Sequence, residues 1–304
     1  MTDAALFDVD GDRFVPSELT RGGWSDDAQH GSPPSGLLAR AIEMVPTASP
    51  MQVVRFTIDL FRPVPLQPLT VATRVLRDGL RIQAVDAVLR HGDTEVGRAS
   101  GLKIRIADSP LPDRVEEPWL PPPGPAEGSP VRWRGFGAGT GLARFHIDAV
   151  DISSIDDSFM RLGPGTSWFR LRGPVVAGEE PTPFVRLATV ADLSNGNSTA
   201  LDPADWVFVN PDITLYMHRH PVGEWVGMVS AAHQHGSGIG FADTTVFDRG
   251  IQTAGVIVAV ANAHLLASVG RLEEADAVYR SLGPVAEWQP SPHAVLPALA
   301  FGIN

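Results

Sequence analysis

The most constraining feature of this 304-residue chain is an internal repeat with an offset near 157 positions. Arg62 precedes Gly79 by 17 positions, and Arg219 precedes Gly236 by the same 17. Each arginine closes a strand-like segment before a proline turn, FTIDLFRP from Phe56 and the related ITLYMHRHP in the second copy. Because two copies of one unit can pair through equivalent surfaces, the repeat predicts a pseudo-dimer within one polypeptide.

Each copy is predicted to contain one helix and one antiparallel sheet. In the first copy, apolar residues at helical spacing predict a helix over 33–45, introduced by Ser32 and two prolines that suit a first helical turn. Four β-branched runs separated by turn residues predict an antiparallel meander. These runs cover 53–61, 69–76, 81–89 and 97–106. In the second copy an apolar run predicts the equivalent helix at roughly 182–194, so the fold class is α+β.

Segments outside the strands and helices divide the chain further. The sequence is divided into an N-terminal repeat at 1–106, a linker at 107–135, a C-terminal repeat at 136–263 and a C-terminal segment at 264–304. So many prolines fall in the second of these that an extended linker is predicted there. The last segment predicts a helix that stops at Gly283-Pro284, followed by an apolar tail packed along the body or a partner.

Composition restricts the partners and the compartment. The formal net charge of −11 argues against a nucleic-acid surface, which needs clustered Lys and Arg, but allows one anionic ligand held by a few arginines. Cysteine is absent, which excludes disulfides and thiolate chemistry. The first residues lack the features of a signal peptide, and no uncharged apolar run reaches the roughly 18 residues of a membrane span. A cytoplasmic protein without a membrane span is expected.

The end of the second predicted helix carries the most informative polar residue, Asp192. Asn195-Gly196-Asn197 is predicted to break the helix directly afterwards. A carboxylate is unfavourable at that place, because the helix dipole favours cations at a C-terminal end. The strand-like segments 212–219 and 225–229, separated by a proline and glycine turn, predict a hairpin whose edge receives Asp192.

Several motifs are informative only as a set. They are HGSPPSGLL from His30, ADL around Asp192, FVNPDITL from 208 to 215, RHPVGEWV from Arg219, GIG at 238–240 and FDRG at 247–250. Together with the repeat, this set resembles the double-hotdog acyl-CoA thioesterases, the thioesterase-II-like or TesB-like family, over about residues 10–262. The resemblance implies that a sheet wraps each long helix, that the two sheets join, and that acyl-CoA binds where the halves meet.

The resemblance also implies a water held by an Asp at the helix, a Thr or Asn on the next strand, and a Gln on the last strand. Asp192 matches the first member and Asn210 the second. The family Gln is expected near Ile257 or Val258, where this sequence has no amide, and the nearest amide is that of Gln252. In such a set the carboxylate accepts the proton of the water, the amide orients the water, and helix-end N–H groups stabilise the oxyanion.

Three further residues are expected at the substrate. His30 and Gly31 are expected at the acyl-CoA entrance and Arg219 at a phosphate group, although a loop hydrogen bond for His30 and a buried structural partner for Arg219 stay open. The strand histidines have no carboxylate at metal-site spacing, so neither a metal nor another cofactor is predicted.

The sequence thus predicts hydrolysis of a fatty or branched acyl-CoA to free acid and CoA, a reaction of fatty acid metabolism, with Asp192 as base and Asn210 orienting the water. Two alternatives stay open. One is a hotdog enoyl-thioester hydratase or dehydratase that uses His30 and Glu43, although about three helical turns separate that pair. The other is a non-catalytic acyl-thioester binder. Acyl chain length, CoA versus acyl-carrier protein, and pairing into a homo-oligomer are left open by the sequence.

Overall fold

A computed structural model describes residues 4–107, 122–133, 137–202, 206–248 and 251–264. A small hairpin, β1 (Phe7–Asp10) and β2 (Arg13–Pro16), precedes one 11-stranded antiparallel sheet. The large sheet contains β3 (Met51–Leu60), β4 (Thr70–Asp78), β5 (Ile82–His91), β6 (Thr94–Arg105), β7 (Ser129–Pro130), β8 (Val150–Ser154), β9 (Gly165–Leu171), β10 (Trp206–Met217), β11 (Val226–Gln234), β12 (Ile239–Asp248) and β13 (Ile251–His264). The helices are α1 (Ser32–Glu43), α2 (Pro183–Val190) and α3 (Ser194–Asn197).

The large sheet joins the two repeats through β3 and β10. Its strand order is β4-β5-β6-β3-β10-β13-β12-β11-β9-β8-β7. At the junction Thr57 pairs with Thr214, and their Oγ1 atoms lie 3.2 Å apart. These two threonines stand 157 positions apart, the offset of the sequence repeat. Equivalent residues therefore pair with each other, as a pseudo-twofold axis between the halves requires. The predicted α+β double unit is confirmed.

Two predicted strand pairings are wrong. β4, β5 and β6 form a meander, but β3 pairs with β6 rather than with β4. The proline-rich connection from 61 to 69 carries the chain across the unit before β4 begins. The predicted hairpin of β10 and β11 does not form either, because β3 and β13 occupy the two edges of β10. β11 lies instead between β12 and β9.

The helices lie side by side and run in opposite directions. At one end Thr182, the residue before α2, donates from Oγ1 to Glu43 Oε2 at the end of α1, at 2.6 Å. In the middle, Gly36 permits a close approach, because a Cβ atom there would lie 2.2 Å from Thr189 Oγ1. The beginning of α1 consequently meets the residues that follow α2. That meeting point belongs to both halves of the molecule.

The hydrophobic core is continuous across the halves. Phe56 of β3 packs edge-on against Phe184 of α2 with ring centroids 5.6 Å apart, and both side chains are fully buried. Helix α2 of the second repeat thus buries part of its apolar face against a strand of the first. Full burial of an apolar side chain of this size contributes roughly 1.5–3 kcal/mol. The pairing of the halves is part of the fold.

The described part of the predicted linker, residues 122–133, adds one short strand to the large sheet. Ser129–Pro130 forms β7 at the sheet edge, where the missing N–H of a proline costs no ladder hydrogen bond.

The buried Arg144 donates to the Gly22 carbonyl oxygen at 2.5 Å and pairs with Asp26 at 2.5 Å. Residues 137–149 are thereby fixed to the loop that precedes α1.

The predicted C-terminal helix lies outside the described residues, except that His264 ends β13. Among the described residues, no helix has the length and apolar character needed to cross a membrane.

Replacing Asp59 with asparagine is expected to stabilise the protein by about 0.2–1 kcal/mol. Asp59 lies directly opposite Asp212 across the junction of the halves. Burial and the Asp212 charge raise the pKa of Asp59, and Arg98 offsets part of that effect. A raised folded pKa means that stability falls as pH rises from the unfolded value through the folded one. Urea denaturation at neutral pH should show the gain in the Asp59→Asn variant and no comparable gain for the exposed Asp93→Asn. A destabilised variant would show that the carboxylate pair is favourable.

Candidate active site

Asp192 is positioned by a helical path that runs through three short elements. Thr182 caps α2 by accepting a hydrogen bond from the Val185 N–H, and a 3₁₀ turn at Ala191–Leu193 connects α2 to α3. The prediction that Asn195-Gly196-Asn197 breaks the helix is wrong, since these residues lie within α3. Their amide groups bind neighbouring elements instead. Asp192 faces the beginning of α1 and is only 5% exposed.

His30 contacts Asp192 across the boundary between the repeats. Its Nδ1 atom lies 2.8 Å from Asp192 Oδ2, and the N–H of Ser32 also donates to that carboxylate. Gly31, between these two residues, has no room for a side chain, because a Cβ atom there would lie 2.8 Å from Asp192 Oδ2. Gly31 was predicted to lie at the acyl-CoA entrance. In the structure it also has a steric role, because the absence of a side chain lets the loop before α1 approach the Asp192 carboxylate.

Asn210 holds the other carboxylate oxygen. A register shift in β10 between Val209 and Asp212 carries it to the end of the helical path. Its Nδ2 donates to Asp192 Oδ1 at 2.8 Å, and its Oδ1 accepts from Asn195 Nδ2 at 2.9 Å. The directions are determined, because an ionised carboxylate only accepts hydrogen bonds and each amide offers one face to each neighbour.

Sequence reasoning missed Asn195 as a member of this network. It was interpreted only as part of a helix break, although a residue three positions after Asp192 shares its face on a continuing helix. That spacing was the available signal. Asn195, Asn210, Asp192 and His30 form one hydrogen-bonded chain.

The carboxyl group of Asp192 is kept ionised despite its burial. Burial raises its pKa, but the charge of His30 and hydrogen bonds from His30, Asn210 and the Ser32 N–H outweigh this, so the pKa lies below its ordinary value of 3.8. A buried charge is costly unless several donors surround it. Titratable groups so strongly influenced by specific partners are concentrated at functional sites.

Two buried hydroxyl groups accompany the carboxylate. Ser32 begins α1 and Ser194 begins α3, and both side chains are fully buried. Neither Oγ atom has a hydrogen-bond partner among the described residues. A buried hydroxyl without a partner costs about 1–3 kcal/mol, so such a group indicates a place where a substrate or water atom is received.

An aromatic wall, formed by Trp133, Phe145 and His146, covers the outer side of His30. The ring of His30 lies 5.2 Å from that of Phe145 and 5.9 Å from that of His146. Trp133 packs edge-on against His146 at 4.7 Å. Trp133 ends the described part of the predicted linker, whereas Phe145 and His146 lie at the beginning of the C-terminal repeat, and no local pattern in the sequence indicated that they would pack near His30.

Arg219 and Gln252 are not brought to this network. Arg219 makes a two-pronged ion pair with Asp248, at 2.5 and 2.8 Å. Gln252 pairs in the sheet with Phe247 of β12, whereas the β13 residues opposite the shift at Asn210 are those between 259 and 261. Eight positions along a strand, at about 3.3 Å each, separate the backbone of Gln252 from that segment by about 26 Å.

Glu43 also lies away from His30, at the far end of α1, where it accepts a hydrogen bond from Thr182. The pairing of His30 with Glu43 that the hydratase alternative requires is therefore not present. His30 pairs instead with Asp192.

Replacing Gly31 with alanine is expected to lower kcat by about tenfold or more, on the scale of a displaced catalytic group. Its helical backbone angles suit alanine, so the effect is steric: the new methyl group would meet Asp192 Oδ2 at 2.8 Å and Leu60 Cδ1 at 3.0 Å. Steady-state kinetics with an acyl-CoA substrate would measure it. Gly236→Ala, where a Cβ atom meets nothing within 4 Å, is the matched control. Equal rates for both variants would contradict this packing of Gly31.

Comparisons with known proteins agree with this architecture. The acyl-CoA thioesterase N-terminal domain family matches residues 20–103, and the acyl-CoA thioesterase C-terminal domain family matches residues 113–262. No curated protein matches the chain.

Solved structures share the same fold. A hot dog fold protein of unknown function from Alicyclobacillus acidocaldarius is 16% identical, with a TM-score of 0.64 over 86% of this chain and 96% of that chain. Acyl-CoA thioesterase II TesB2 from Mycobacterium marinum is 16% identical, with a TM-score of 0.61 over 85% and 95%. The tesB protein of Mycobacterium avium subs paratuberculosis is 16% identical, with a TM-score of 0.57 over 84% and 94%.

Proposed function

The chain belongs to the acyl-CoA thioesterase family, and from that membership we propose that it hydrolyses a fatty or branched acyl-CoA with a water activated at Asp192. The observation that carries the proposal is the ionised, buried Asp192 carboxylate at the boundary between the repeats. It accepts hydrogen bonds from His30, Asn210 and the Ser32 N–H. The substrate partner is a small molecule, acyl-CoA, whose thioester reaches this boundary.

The negative charge of Asp192 favours removal of a proton from a water that attacks a thioester carbonyl, either directly or through a neighbouring group. Asn210 keeps the carboxylate in place through Nδ2. The predicted role of Asn210 in orienting the water stays a prediction, because its Oδ1 accepts from Asn195 with one lone pair and has a second. Its contact with Asp192 holds the carboxylate in place.

The developing oxyanion needs donors as well. The first turn of α1 offers few N–H groups, because Pro33 and Pro34 have none and the Ser35 N–H donates to Gly31 O. The buried hydroxyl of Ser32, whose N–H donates to Asp192, is a donor without a partner among the described residues. We assign it to the thioester oxygen or to the attacking water, where an oriented donor stabilises the transition state more than the ground state.

Thiol release tests the proposal. The native protein is incubated with acyl-CoAs of short, medium and long chains, straight and branched, and free CoA is measured. Release that depends on enzyme concentration supports hydrolysis, and the chain preference identifies the substrate. If no acyl-CoA releases thiol, but acyl-CoA raises the melting temperature, the proposal fails and the protein is a binder.

A hydratase is the second candidate, favoured by one observation. His30 and Asp192 come from opposite repeats and contact each other at 2.8 Å, so a histidine and a carboxylate do meet at the boundary, although not the pair with Glu43. Enoyl-CoA provides the test. Loss of its conjugated absorbance without thiol release would establish hydration, whereas thiol release without prior loss of the conjugated absorbance would establish hydrolysis.

A further inference from the structure

The carboxylate of Asp192 is poorly placed to take a proton from water directly. Oδ1 accepts from Asn210 Nδ2 at 2.8 Å, and Oδ2 lies 2.8 Å from His30 Nδ1. The Ser32 N–H donates to the same group. The side chain is only 4% exposed, whereas that of His30 is 18% exposed. A carboxylate surrounded by three donors is a weak proton acceptor, because each donor stabilises its charged form.

The contact with Asp192 determines the protonation pattern of His30. An ionised carboxylate offers only lone pairs, so the ring nitrogen 2.8 Å away must carry the hydrogen. The Ser32 N–H also lies 3.2 Å from that nitrogen, but a nitrogen that donates cannot accept, so this N–H is directed to the carboxylate. In the neutral ring the hydrogen is therefore on Nδ1, and Nε2 carries the free lone pair.

The Nε2 atom remains available. It makes no hydrogen bond to the described residues, and it is absent from the buried atoms that lack a partner, so it is not sealed from solvent. Phe145 and His146 pack against the ring and hold its plane, with ring centroids at 5.2 and 5.9 Å. An imidazole fixed by a carboxylate on one nitrogen and open on the other is the arrangement of a general base.

We infer that His30 is a catalytic residue whose Nε2 accepts a proton from the attacking water. Asp192 is the residue that orients the imidazole ring of His30 and polarises it. The inference rests on the proposed hydrolysis and assigns the atom that receives the proton. His30 Nε2 removes one proton from water while the oxygen bonds to the thioester carbon. The tetrahedral intermediate then collapses, the C–S bond breaks, and the Nε2 proton moves to the CoA sulfur, which leaves acid and thiol with no other reactant.

This role explains how the protein could activate water although it has no glutamine near position 257 or 258 on the last strand. A histidine on the loop before α1 supplies a polar group at the carboxylate from the other repeat. The negative charge at Asp192 then acts through the imidazole, because it stabilises the imidazolium that forms as the water is deprotonated.

The His30→Asn variant distinguishes this role from a purely structural one. Asparagine places an N–H donor near the position of Nδ1, so Asp192 keeps its partner, but nothing replaces Nε2. We expect kcat to fall by about 100- to 10,000-fold with a nearly native KM and melting temperature. His91→Ala, at the exposed end of β5, is the control for loss of a histidine and is expected to keep native kcat.

Chemical rescue provides the second measurement. Imidazole added to the His30→Ala variant is expected to raise thiol release in proportion to its concentration, and to leave the Asp192→Asn variant unchanged. Native-like kcat in His30→Asn would overturn the inference and return proton transfer to Asp192. If His30→Asn fails to fold, a folded His30→Ala that imidazole does not rescue would overturn it equally. A native protein that releases no thiol from any acyl-CoA would instead reject the proposed hydrolysis itself.

Discussion

Replacing Asp192 with asparagine is expected to lower kcat for acyl-CoA hydrolysis by about 100- to 10,000-fold. The substitution removes the charge that polarises His30, and it leaves one amide oxygen where two carboxylate oxygens had accepted hydrogen bonds from His30 and Asn210. The new NH₂ group must face one of those donors. Release of CoA thiol, measured at saturating substrate, reports the loss.

The same substitution has a pH signature in stability. The folded pKa of Asp192 lies below its ordinary value of 3.8, so the native protein gains stability from this carboxylate above that value and loses it as pH falls through the folded pKa. At neutral pH the variant should be less stable by about 1–3 kcal/mol, the cost of donors left without partners. The difference in the free energy of unfolding between the native protein and Asp192→Asn should become smaller only at acid pH.

Glu43→Gln is the control for Asp192→Asn. Glu43 lies at the other end of the paired helices and accepts a hydrogen bond from Thr182. The side-chain oxygen of a glutamine can accept the same hydrogen bond. Its kcat should stay near the native value. A large fall in Glu43→Gln together with a small one in Asp192→Asn would place the chemistry at the wrong end of the helices and reject the site.

Replacing Arg219 with alanine is expected to lower the free energy of unfolding by about 3–5 kcal/mol, with little change in KM. The side chain of Asp248 is 5% exposed. Its carboxylate accepts from both guanidinium branches at 2.5 and 2.8 Å and from the Val222 N–H at 2.7 Å. Truncation of the arginine removes the two-pronged ion pair from that buried charge. Guanidinium chloride denaturation and steady-state kinetics measure the two effects separately.

Arg161→Ala provides the comparison for an exposed ion pair. Arg161 pairs with Asp156 at the surface, with side chains 44% and 31% exposed, so its loss should cost at most about 1 kcal/mol. If Arg219→Ala instead raised KM and left the free energy of unfolding unchanged, the result would support the predicted role of Arg219 at a substrate phosphate group.

Several parts of this molecule could be derived from local sequence pattern. The offset near 157 predicted two equivalent units, and the pairing of Thr57 with Thr214 shows that the same offset relates the strands at the junction. The apolar run before Asp192 predicted a helix that ends at an acid. Asn210 was predicted from the resemblance to a family rather than from local pattern, and it does bind that acid. A helical run depends on residues that are neighbours in sequence, and a repeat is two copies of such local patterns, so periodicity and spacing reveal both.

Sequence pattern was sufficient to predict two helix-and-sheet units with Asp192 at the end of the second helix. Which strands pair, and that His30 of the first unit donates to Asp192 of the second, is visible only in the folded chain. The packing of Phe145 against His30 is likewise visible only there. Strand edges and buried polar groups can be satisfied by many partners of similar chemistry, so the choice depends on which distant groups the completed packing brings within reach.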